Sequence, residues 1–449
     1  MIERLSSDSR RCGPGVAFFA YPGERADGRA HIGDAIARGA SAVVWEKEGF
    51  DWRHEWRVPN APLADLKQHA GALAHEFYGK PSEPLWVCGV TGTNGKTSST
   101  QWLAALLGNC AVIGTLGAGF PGKLSAALNT TPDALEMHSL LKDFLQQGAK
   151  AVAMEVSSHG LLQGRVNGVR FDCALFTNLT HDHLDYHGSM AAYGEAKARL
   201  FEMPGLETAV LNLDDPFGVQ LALRLKGKIR TIGYSLEPRD APVDQKLVAD
   251  ARLRIPALGR FNVSNALGVL GCLVANGIPL QEARKLLAGL PPVPGRMQAV
   301  GQEPLVVIDY AHTPDALENV LTALRPVARE RGGRLAVVFG AGGDRDPTKR
   351  PLMGAVAARL ADRVLVTSDN PRSEDPGAII AQIAAGIGTT HEVEADRARA
   401  IEQAVLQASP RDVVLIAGKG HETYQEVAGR RSDFSDVEEA KKALARRPA

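Results

Sequence analysis

The segment formed by Gly92, Thr93, Asn94, Gly95, Lys96 and Thr97 has the residue types of a phosphate-binding loop. It comes directly after an apolar run at residues 85–90 and directly before a helical pattern that begins at Ser98. In such a strand–turn–helix unit, backbone N–H groups and the helix N-terminus face an anion, lysine neutralises its charge, and threonine can bind Mg²⁺. Val90 stands where the usual eight-residue loop has its first glycine, so an ordinary glycine-rich turn is the alternative interpretation.

Two further residues have the chemistry to hold a divalent cation beside this loop. Glu155 and His183 each lie at, or a few residues past, the end of an apolar run with strand character. With the Thr97 hydroxyl they offer the oxygen ligands that Mg²⁺ prefers and an imidazole, which it binds less commonly. A hydrogen-bonded loop histidine is the alternative for His183. The polar neighbours that keep the metal interpretation open are His181, Asp182, Asp185 and His187.

Polar clusters follow the predicted strands in the later two segments of the chain. Open parallel sheets bind ligands at the carboxyl ends of their strands. The clusters occupy residues 91–97, 155–159, 178–183, 212–215, 309–312, 342–345, 369–372 and 418–422. Their position predicts two sheet edges that face each other across a cleft between domains.

A set of basic residues lies in or beside the clusters of the last segment. Its members are Arg296, Arg345, Lys349, Arg350, Arg372 and Lys419. Arginine forms bidentate contacts with carboxylates and phosphates. With Asp369 and Glu422 nearby, the set suits a zwitterion whose carboxylates contact arginine and whose ammonium groups contact the acids. Surface ion pairs, worth ~0–1 kcal/mol each, are the alternative, and we expect at least two of these residues to form nothing more.

A short polar turn at residues 129–133 suits sugar or phosphate oxygens. It contains Asn129, Thr130 and Thr131, followed by Pro132. A helix N-terminus with Pro132 at its first position is an equally good interpretation, and the two are compatible.

The composition is that of a soluble globular protein, and 449 residues suggest about three domains. The 51 basic and 51 acidic residues give no global electrostatic case for nucleic acid or an anionic membrane. Five scattered cysteines without a Cys-x-x-Cys pair predict small core residues rather than disulfides or structural zinc. The N-terminus lacks a signal-peptide core, and no apolar run approaches the ~20 residues that span a bilayer. We therefore expect a cytoplasmic protein.

Strand and helix patterns alternate along the chain, which predicts an α/β fold with mostly parallel sheets. Proline-rich segments at 81–84 and 291–295 divide the chain into three parts. The predicted strands are 16–20, 41–45, 111–113, 151–155, 173–177, 208–213, 305–308, 334–339, 363–366 and 413–416. Residues 228–256 have only a weak pattern, and a helix is predicted to begin near Gly259.

Taken together, these motifs resemble the ATP-dependent Mur ligases of peptidoglycan synthesis. The variant loop at 92–97 has that family's form, and the resemblance extends from residue 8 to residue 425. The runs at 155–159, 178–187, 295–297, 309–312 and 418–422 are similar to those of the members that add the third residue of the stem peptide.

The resemblance implies three α/β domains. These are an N-terminal UDP-sugar domain at 1–84, a central P-loop-type parallel-sheet ATPase domain at 85–298, and a C-terminal Rossmann-like, amino-acid-binding domain at 299–449. It implies that ATP phosphorylates the D-glutamate carboxylate of UDP-MurNAc-L-Ala-D-Glu to an acyl phosphate, which an amine then attacks. Such phosphoryl transfer needs positioning and charge neutralisation more than covalent help.

The resemblance also implies roles for residues at the nucleotide. The matching ATP positions are Gly92, Thr93, Asn94, Gly95, Lys96, Thr97, Asn265, Arg296, Asp309 and His312. Thr97, Glu155 and His183 match Mg²⁺ ligands. Lys197 matches a lysine that reacts with CO₂ to form a carbamate able to ligate a second Mg²⁺, although from the residues alone a helix lysine usually faces solvent or pairs with a neighbour. Lys96, Glu155, His183 and Lys197 form the implied catalytic set.

Two further sets are implied for the other substrates. The matching contacts to the UDP-sugar peptide are Ser9, Asn129, Thr130, Thr131, Ser157, Gln163 and Arg165. Those to the incoming amino acid are Arg345, Asp369, Asn370, Arg372, Gly418 and Glu422. The run at 369–372 resembles the form associated with meso-diaminopimelate rather than L-lysine. Arg372 can bind the second carboxylate, which lysine lacks, and an unpaired buried arginine would be costly.

Several alternatives stay open. The enzyme alternatives are, in order, a ligase that adds L-lysine in the same reaction, another Mur ligase, the related folylpolyglutamate synthetase, and a P-loop kinase or motor ATPase. The non-catalytic alternative is a nucleotide-binding homologue whose ligase site has decayed. The runs at 178–187 and 369–372 argue against the second and third.

We expect a monomer without membrane insertion or nucleic-acid partners. Residues 213–259 are shorter than is usual in the family, the N-terminal segment begins close to the motif at 8–10, and residues 291–295 are a predicted hinge.

Overall fold

The computed structural model describes residues 1–24, 26–125, 129–250, 253, 255–388 and 390–447. Three mostly parallel sheets follow one another along the chain, each flanked by helices. The predicted three-domain α/β architecture is thereby confirmed. No helix within the described ranges combines the length and the apolar character that crossing a membrane requires.

The N-terminal domain is a four-stranded parallel sheet in the order β1-β2-β3-β4. One group of apolar side chains covers the sheet face under α2, and a second surrounds α1 and Trp45. The elements are β1 (Arg4–Ser6), β2 (Val16–Ala20), α1 (Ile32–Ala37), β3 (Ala42–Glu46), β4 (Asn60–Leu63) and α2 (Leu66–Phe77).

The central domain contains a nine-stranded sheet in the order β13-β12-β11-β10-β5-β9-β6-β7-β8, in which β7 and β8 run antiparallel to their neighbours. Its elements are β5 (Trp86–Thr91), α3 (Lys96–Leu107), β6 (Cys110–Gly114), β7 (Gly117–Phe120), β8 (Lys123–Ser125), α4 (Ala134–Gln146), β9 (Ala151–Glu155), α5 (Ser158–Leu162), β10 (Cys173–Phe176), α6 (Leu184–His187), α7 (Met190–Ala198), β11 (Thr208–Asn212), α8 (Pro216–Leu225), β12 (Arg230–Ser235), β13 (Gln245–Val248), α9 (Arg260–Ala275) and α10 (Leu280–Leu286).

The C-terminal domain is built on a six-stranded sheet in the order β14-β15-β19-β16-β17-β18, with only β14 antiparallel, and carries the hairpin β20–β21. Its elements are β14 (Gln298–Gln302), β15 (Leu305–Asp309), α11 (Pro314–Glu330), β16 (Leu335–Phe339), α12 (Lys349–Leu360), β17 (Arg363–Val366), α13 (Pro376–Ala384), β18 (Glu392–Val393), α14 (Arg397–Gln407), β19 (Val413–Ala417), β20 (Tyr424–Val427), β21 (Arg430–Asp433) and α15 (Asp436–Ala445).

The central strands are buried along their whole length, and are mostly apolar, because helices cover both sheet faces. All residues of β6, β9, β10 and β11 are buried, as are those of β15, β16 and β19. Parallel strands covered on both sides are expected to have such uninterrupted apolar runs. This is why most predicted strands lie within one or two residues of the observed ones, and why 16–20, 151–155 and 363–366 agree in full.

Two local predictions need correction. The weakly patterned stretch at 228–256 contains β12 and the edge strand β13. Its pattern is weak because the buried strand β12 includes small and polar residues and because β13 is partly exposed. Pro132 is not the first residue of α4. The helix begins at Ala134, and the carboxylate of Asp133 caps it by accepting hydrogen bonds from the N–H groups of Leu135 and Glu136.

The cysteines behave as predicted for small core residues. All five are free, and four of them are buried. Cys88 of β5, Cys173 of β10 and Cys272 of α9 bring their Sγ atoms within 4.8 Å of one another. This cluster lies where α9 packs on the sheet, beside Gly268 and Gly271, whose missing side chains allow the close approach. Small volume therefore explains their place in the fold.

Candidate active site

The loop at 92–97 connects β5, a central strand of the nine-stranded sheet, to the N-terminus of α3. Gly95 has a φ of +87°, and a Cβ atom there would lie 2.3 Å from Oδ1 of Asn265, so a side chain is excluded. Asn178, after β10, holds the loop by accepting hydrogen bonds from the N–H of Thr93 on its carbonyl oxygen (2.8 Å) and from the N–H of Asn94 on Oδ1 (2.9 Å). The first N–H groups of α3 lack intrahelical partners and are therefore placed to bind an anion.

Two lysine ammonium groups converge on the Gly92 carbonyl oxygen of the loop. Lys96 Nζ donates to the carbonyl oxygens of Gly92 (2.9 Å) and Thr93 (2.8 Å), and Lys197 Nζ donates to the same Gly92 oxygen (2.8 Å). Lys197 is only 1% exposed, and its Nζ lies 4.1 Å from the centre of the Tyr193 ring. The sequence-based default of a solvent-facing helix lysine is thus wrong. Burial, and then the charge of Lys96, lower the pKa of Lys197 well below its ordinary value.

Glu155 ends β9 next to the loop, and its carboxylate is held in place by Thr115. Oε1 accepts the Thr115 N–H at 2.8 Å, and Oε2 accepts the Thr115 hydroxyl at 3.1 Å. The side chain is buried but lines the cleft between the central and C-terminal domains. A carboxylate fixed in this way retains lone pairs for a cation, which fits the hard oxygen chemistry of Mg²⁺.

His183 occupies a strained backbone conformation, with a φ of +54°, at the start of α6. Its Nε2 atom lies 3.3 Å from Oδ2 of Asp182. Burial lowers the pKa of His183 to about 3, an effect that Asp182 only partly opposes. The imidazole is therefore neutral at physiological pH, the form that can ligate a metal. Strained residues of this kind are frequent at functional sites.

Residues of α9 and of the C-terminal domain complete the predicted nucleotide region. Asn265 of α9 approaches Gly95, and Arg296 Nη2 donates to Oγ1 of Thr97 at 3.0 Å. Asp309 ends β15 and accepts hydrogen bonds from the N–H groups of Met297 (2.7 Å) and Ala311 (2.8 Å).

His312 and Arg296 are oriented by the same C-terminal segment. His312 Nδ1 lies 2.8 Å from the Tyr310 carbonyl oxygen, and the Arg296 guanidinium lies 4.4 Å from the centre of the Tyr310 ring. Burial, and then Lys349, lower the pKa of His312 to about 4, so this ring is also neutral near pH 7.

The residues predicted for the UDP-sugar peptide are divided between the cleft and the N-terminal side. Thr130 and Ser157 line the cleft, whereas Ser9, Asn129, Thr131, Gln163 and Arg165 lie outside its lining. Arg165 binds Oε1 of Gln163 through Nε (2.8 Å) and the carbonyl oxygen of Thr131 through Nη1 (2.8 Å). Gln163 Nε2 in turn donates to Glu24 of the N-terminal domain at 2.6 Å. Ser9 opens a short 3₁₀ turn that Asp8 caps.

The six residues predicted for the amino acid all line the cleft. Asp369 and Asn370 follow β17, and Gly418 and Glu422 follow β19. Asn370 Nδ2 donates to Oε2 of Glu422 at 2.8 Å, and Lys419 Nζ contacts both Asn370 Oδ1 and Glu422 Oε2 at 2.9 Å. Gly418 has a φ of +117°, and a Cβ atom there would lie 2.5 Å from Oδ2 of Asp369.

Arg372 is held at the edge of this cluster in a left-handed conformation, with a φ of +52°. Its N–H donates to the Glu426 carbonyl oxygen at 3.1 Å, and its own carbonyl oxygen accepts the Ala428 N–H at 2.7 Å, so the hairpin β20–β21 supports the strain. The side chain lines the cleft and donates from Nη1 to the Gly343 carbonyl oxygen at 2.6 Å.

We expected at least two of the basic residues to form only surface ion pairs. Two of them do form ion pairs, but neither cation lies at the surface. Arg350 pairs with Glu374 and Lys419 pairs with Glu422, both at 2.8–2.9 Å, but both cations are buried. The reason is that both lie behind the strand ends, where the helix and loop that carry them are covered.

The cleft between the two sheets has a volume of about 540 Å³, within the range of ligand sites. Nine of the ten predicted ATP residues line it, and Gly92 is the exception. Thr97, Glu155 and His183 line it too, whereas Lys197 lies behind the loop. Residues 309–312, 369–372 and 418–422 approach from the C-terminal side, as the strand-end clusters predict.

The residues Asp315 and Thr115 at the cleft were not identified from the sequence, whereas Asp182 and Lys349 were named there only as members of a polar and a basic cluster. Asp315 accepts a hydrogen bond from Asn94 Nδ2 at 2.9 Å, yet after Thr313 and Pro314 it has the appearance of an ordinary first-turn acid. Lys349 and Asp182 face each other across the cleft, and Asp182 raises the pKa of Lys349, which burial lowers overall. Thr115 has no sequence signal beyond its place after β6.

Comparison with known protein families accounts for most of the chain. Residues 90–273 match a model described as the Mur ligase middle domain. Residues 295–420 match the Mur ligase glutamate ligase domain, and residues 1–78 match the Mur ligase family catalytic domain.

Similar proteins match over nearly the full length. A UDP-N-acetylmuramoyl-L-alanyl-D-glutamate–2,6-diaminopimelate ligase of Chromobacterium violaceum is 52% identical over 465 residues, which cover 99% of this chain and 94% of that protein. The ligase of the same name from Pseudomonas aeruginosa is 51% identical over 468 residues, with 99% and 95% coverage.

Solved structures agree with these matches. A structure of a ligase with that name, 38% identical, superposes with a TM-score of 0.65 and covers 99% of this chain and 95% of its own. The MurF ligase of Thermotoga maritima in complex with ADP is 20% identical, has a TM-score of 0.66 with 98% and 97% coverage, and shows the shared fold. By sequence, architecture and strand-end clusters alike, this chain belongs to the Mur ligase family.

Proposed function

We propose that the chain is an ATP-dependent ligase of peptidoglycan precursor synthesis, which joins meso-diaminopimelate to the D-glutamate carboxylate of UDP-MurNAc-L-Ala-D-Glu. The main support for this proposal is a single cleft that has a phosphate loop on one wall and an acid–arginine cluster on the other. The names of relatives that are 51–52% identical support the same reaction.

The reaction needs two steps in that cleft. A carboxylate oxygen of the D-glutamate attacks the γ-phosphorus of ATP, which gives an acyl phosphate and ADP. The amine nitrogen then attacks the acyl carbon, and phosphate leaves as the amide forms with loss of a proton. Lys96 and Arg296 neutralise charge during phosphoryl transfer, which depends mainly on such fixed cations.

The donor set beside the loop fits Mg²⁺. Thr97 supplies a hydroxyl, Glu155 a carboxylate already oriented by Thr115, and His183 a neutral imidazole. When bound, the ion would supply positive charge that lowers the repulsion between the phosphates and the attacking carboxylate. Thr97, Glu155 and His183 are the residues that would hold it.

Lys197 is proposed to carry a carbamate. A buried amine beside a second ammonium group favours its neutral form, which is the form that attacks CO₂ and releases a proton. Both lysines contact the Gly92 carbonyl oxygen, so converting Lys197 to an anion replaces repulsion from Lys96 with attraction. The new carboxylate would be a ligand for a second Mg²⁺.

We attribute selectivity for the amino-acid substrate to Arg372 and its neighbours. Asp369 and Glu422 suit the ammonium groups of a zwitterion, and Arg345 and Arg372 suit its carboxylates. Meso-diaminopimelate has a second carboxylate for Arg372, whereas L-lysine would leave this guanidinium without that partner. The ligase reaction with L-lysine is the second candidate.

We place the proposed reaction in the cytoplasm and expect a monomer with no nucleic-acid partner. The equal numbers of acidic and basic residues support the absence of a nucleic-acid partner. Sedimentation analysis of the purified chain would measure its oligomeric state.

The proposed function is tested by phosphate release from ATP with Mg²⁺ and UDP-MurNAc-L-Ala-D-Glu, with and without meso-diaminopimelate. Release that requires all components and is lost in Lys96→Ala supports the ligase. A folded wild-type protein that binds ATP but releases no phosphate under any of these conditions would favour the decayed homologue.

A further inference from the structure

Arg397 and Asp436 form an ion pair in the interior of the C-terminal domain. Arg397 begins α14 and Asp436 begins α15, and their side chains are fully buried. The contact is bidentate, with Nε donating to Oδ1 at 2.7 Å and Nη2 donating to Oδ2 at 2.8 Å. Nothing in the sequence pattern links these two residues, which are 39 positions apart.

The same guanidinium also contacts two strand ends. Arg397 Nη1 donates to the Ser368 carbonyl oxygen at 3.2 Å, and Nη2 donates to the Ala417 carbonyl oxygen at 2.9 Å. Ser368 lies just past β17, and Ala417 is the last residue of β19. In the sheet, β16 lies between these two strands, so no ladder hydrogen bond joins their ends directly.

The residues that follow these carbonyl groups belong to the amino-acid cluster. Asp369 and Asn370 come directly after Ser368, and Gly418 comes directly after Ala417. Arg397 therefore bridges two peptide segments that lead into the lining of the cleft. Displacement of such groups by about 1 Å can reduce a rate or affinity by about a hundredfold.

We propose that Arg397, oriented by Asp436, is a positioning residue of the amino-acid site, which sets the distance between the segments at 369–372 and 418–422. The inference rests on the proposed function for the identity of the amino acid. Arg397 itself lies behind the cleft and touches no substrate. Asp436 orients its fork, because one carboxylate engages Nε and Nη2 and leaves both Nη groups directed at the two carbonyl oxygens.

A purely structural role is the competing explanation, and the chain offers a matched control. Arg363 begins β17 at its opposite end and forms a bidentate ion pair with Glu392, at 2.6 and 2.8 Å. Arg363→Lys and Arg397→Lys both keep a charge and lose a fork, the first at the start of β17 and the second at the segment just past its end. Only the second change affects the end that leads to Asp369.

The test compares wild type, Arg363→Lys and Arg397→Lys for the KM of each substrate, kcat and the unfolding midpoint. We expect the KM for meso-diaminopimelate to rise about tenfold or more in Arg397→Lys, since part of the fork is lost. The KM values for ATP and the UDP-dipeptide should stay within about twofold. Equal effects on all three substrates, or no change for the amino acid, would overturn the positioning role.

A double variant, Arg397→Met with Asp436→Leu, removes both charges and guards against failure to fold. Replacing both members of a buried ion pair by apolar residues is often neutral for stability, whereas removing one member leaves an unpaired buried charge and is strongly destabilising. A folded double variant with weakened amino-acid binding supports positioning, and one with unchanged binding contradicts it. Calorimetry can measure meso-diaminopimelate binding to the wild type and the variants with nucleotide present. This measurement separates the positioning role of Arg397 from the proposed ligase function, because binding without turnover contradicts the ligase function but not the positioning role.

Discussion

At the scale of single residues, Lys197 has surroundings that its sequence context does not reveal. Helix α7 carries exposed and buried positions, and a lysine in such a helix usually extends into solvent. Here the side chain is enclosed behind the phosphate loop and shares the Gly92 carbonyl oxygen with Lys96. Only tertiary packing distinguishes Lys197 from other helical lysines. Its role could therefore be predicted from the family resemblance but not from the local sequence pattern.

Lys197→Ala is expected to lower kcat by roughly a hundredfold or more, since a proposed anionic ligand is lost from the site of phosphoryl transfer. Lys228→Ala, at an exposed position, is the control and should retain full activity. Carbon-13 NMR after incubation with labelled bicarbonate should give a carbamate signal in the wild type only. Full activity of Lys197→Ala would contradict the proposed modification.

Arg372 is the residue from which selectivity is expected. Arg372→Lys keeps a positive charge but loses the planar fork, and a hydrogen bond to a charged group contributes about 1.5–3 kcal/mol. The kcat/KM for meso-diaminopimelate should therefore fall about tenfold or more. The exposed Arg430 of β21 provides a control substitution, Arg430→Lys, which should leave kcat/KM unchanged. An unaltered preference in Arg372→Lys would remove Arg372 from the account of selectivity.

At the scale of elements, strand positions and strand-end clusters were predictable because they depend on local patterns. The runs at 151–154 and 364–366 are apolar, and polar residues follow both of them directly in sequence. The strand β12 was missed because, although buried, it contains Thr231, Gly233 and Ser235 in place of apolar residues, and β13 was missed because it is a partly exposed edge strand. Contacts between distant elements, such as Arg397 with Asp436 or Thr115 with Glu155, have no local pattern and required the structure.

Helix α2 packs against the central domain at Gly71. A Cβ atom at this position would lie 2.1 Å from the Asn167 carbonyl oxygen, whereas one at Gly33 of α1 would meet nothing closer than 3.8 Å. We expect Gly71→Ala to lower stability by about 1–3 kcal/mol through overpacking, and Gly33→Ala to change it little or raise it by up to about 1 kcal/mol. Thermal unfolding of both variants measures the difference. Equal midpoints would contradict the close packing of this interface.

The same interface contains a buried histidine with a clear pH signature. His138 of α4 lies 3.0 Å from the Asn167 carbonyl oxygen, and burial lowers its pKa to about 4. The unfolded chain takes up a proton near pH 6.5 and the folded chain only near pH 4, so this contribution to stability falls as pH drops between those values. The expected loss between pH 7 and pH 5 is about 1–2 kcal/mol.

His138→Gln provides the comparison for this pH effect, because an amide can still donate to the Asn167 carbonyl oxygen but does not titrate. Unfolding midpoints of both proteins at pH 7 and pH 5 are required, since other buried histidines also titrate. The variant should lose less stability on acidification than the wild type. An identical loss in both proteins would show that His138 is not a source of the pH dependence.

At the scale of the whole molecule, the central and C-terminal domains are linked around the cleft by a few polar contacts. Asn94 binds Asp315 at 2.9 Å, and His181 lies 3.4 Å from Asp346. Gly295, in the predicted hinge at 291–295, packs so closely on His421 that a Cβ atom would lie 2.2 Å from its backbone nitrogen. These contacts are few enough for substrate binding to rearrange them.

We expect the X-ray scattering profile to change when a non-hydrolysable ATP analogue and UDP-MurNAc-L-Ala-D-Glu are added together. Domain closure around ligands alters the distance between domains, which the profile reports directly. Lys96→Ala, which should bind the analogue weakly, is the control. Identical profiles for the free and the loaded wild type would count against the hinge.

The most direct test of the central claim is product analysis for the wild-type protein with ATP, Mg²⁺ and UDP-MurNAc-L-Ala-D-Glu, with meso-diaminopimelate and L-lysine supplied separately. We expect stoichiometric phosphate release and a UDP-MurNAc-tripeptide mass with meso-diaminopimelate, and little product with L-lysine. A lysine-containing product formed with equal or greater kcat/KM would contradict the assignment of Arg372. Absence of any amide product from a folded, ATP-binding protein would contradict the ligase itself.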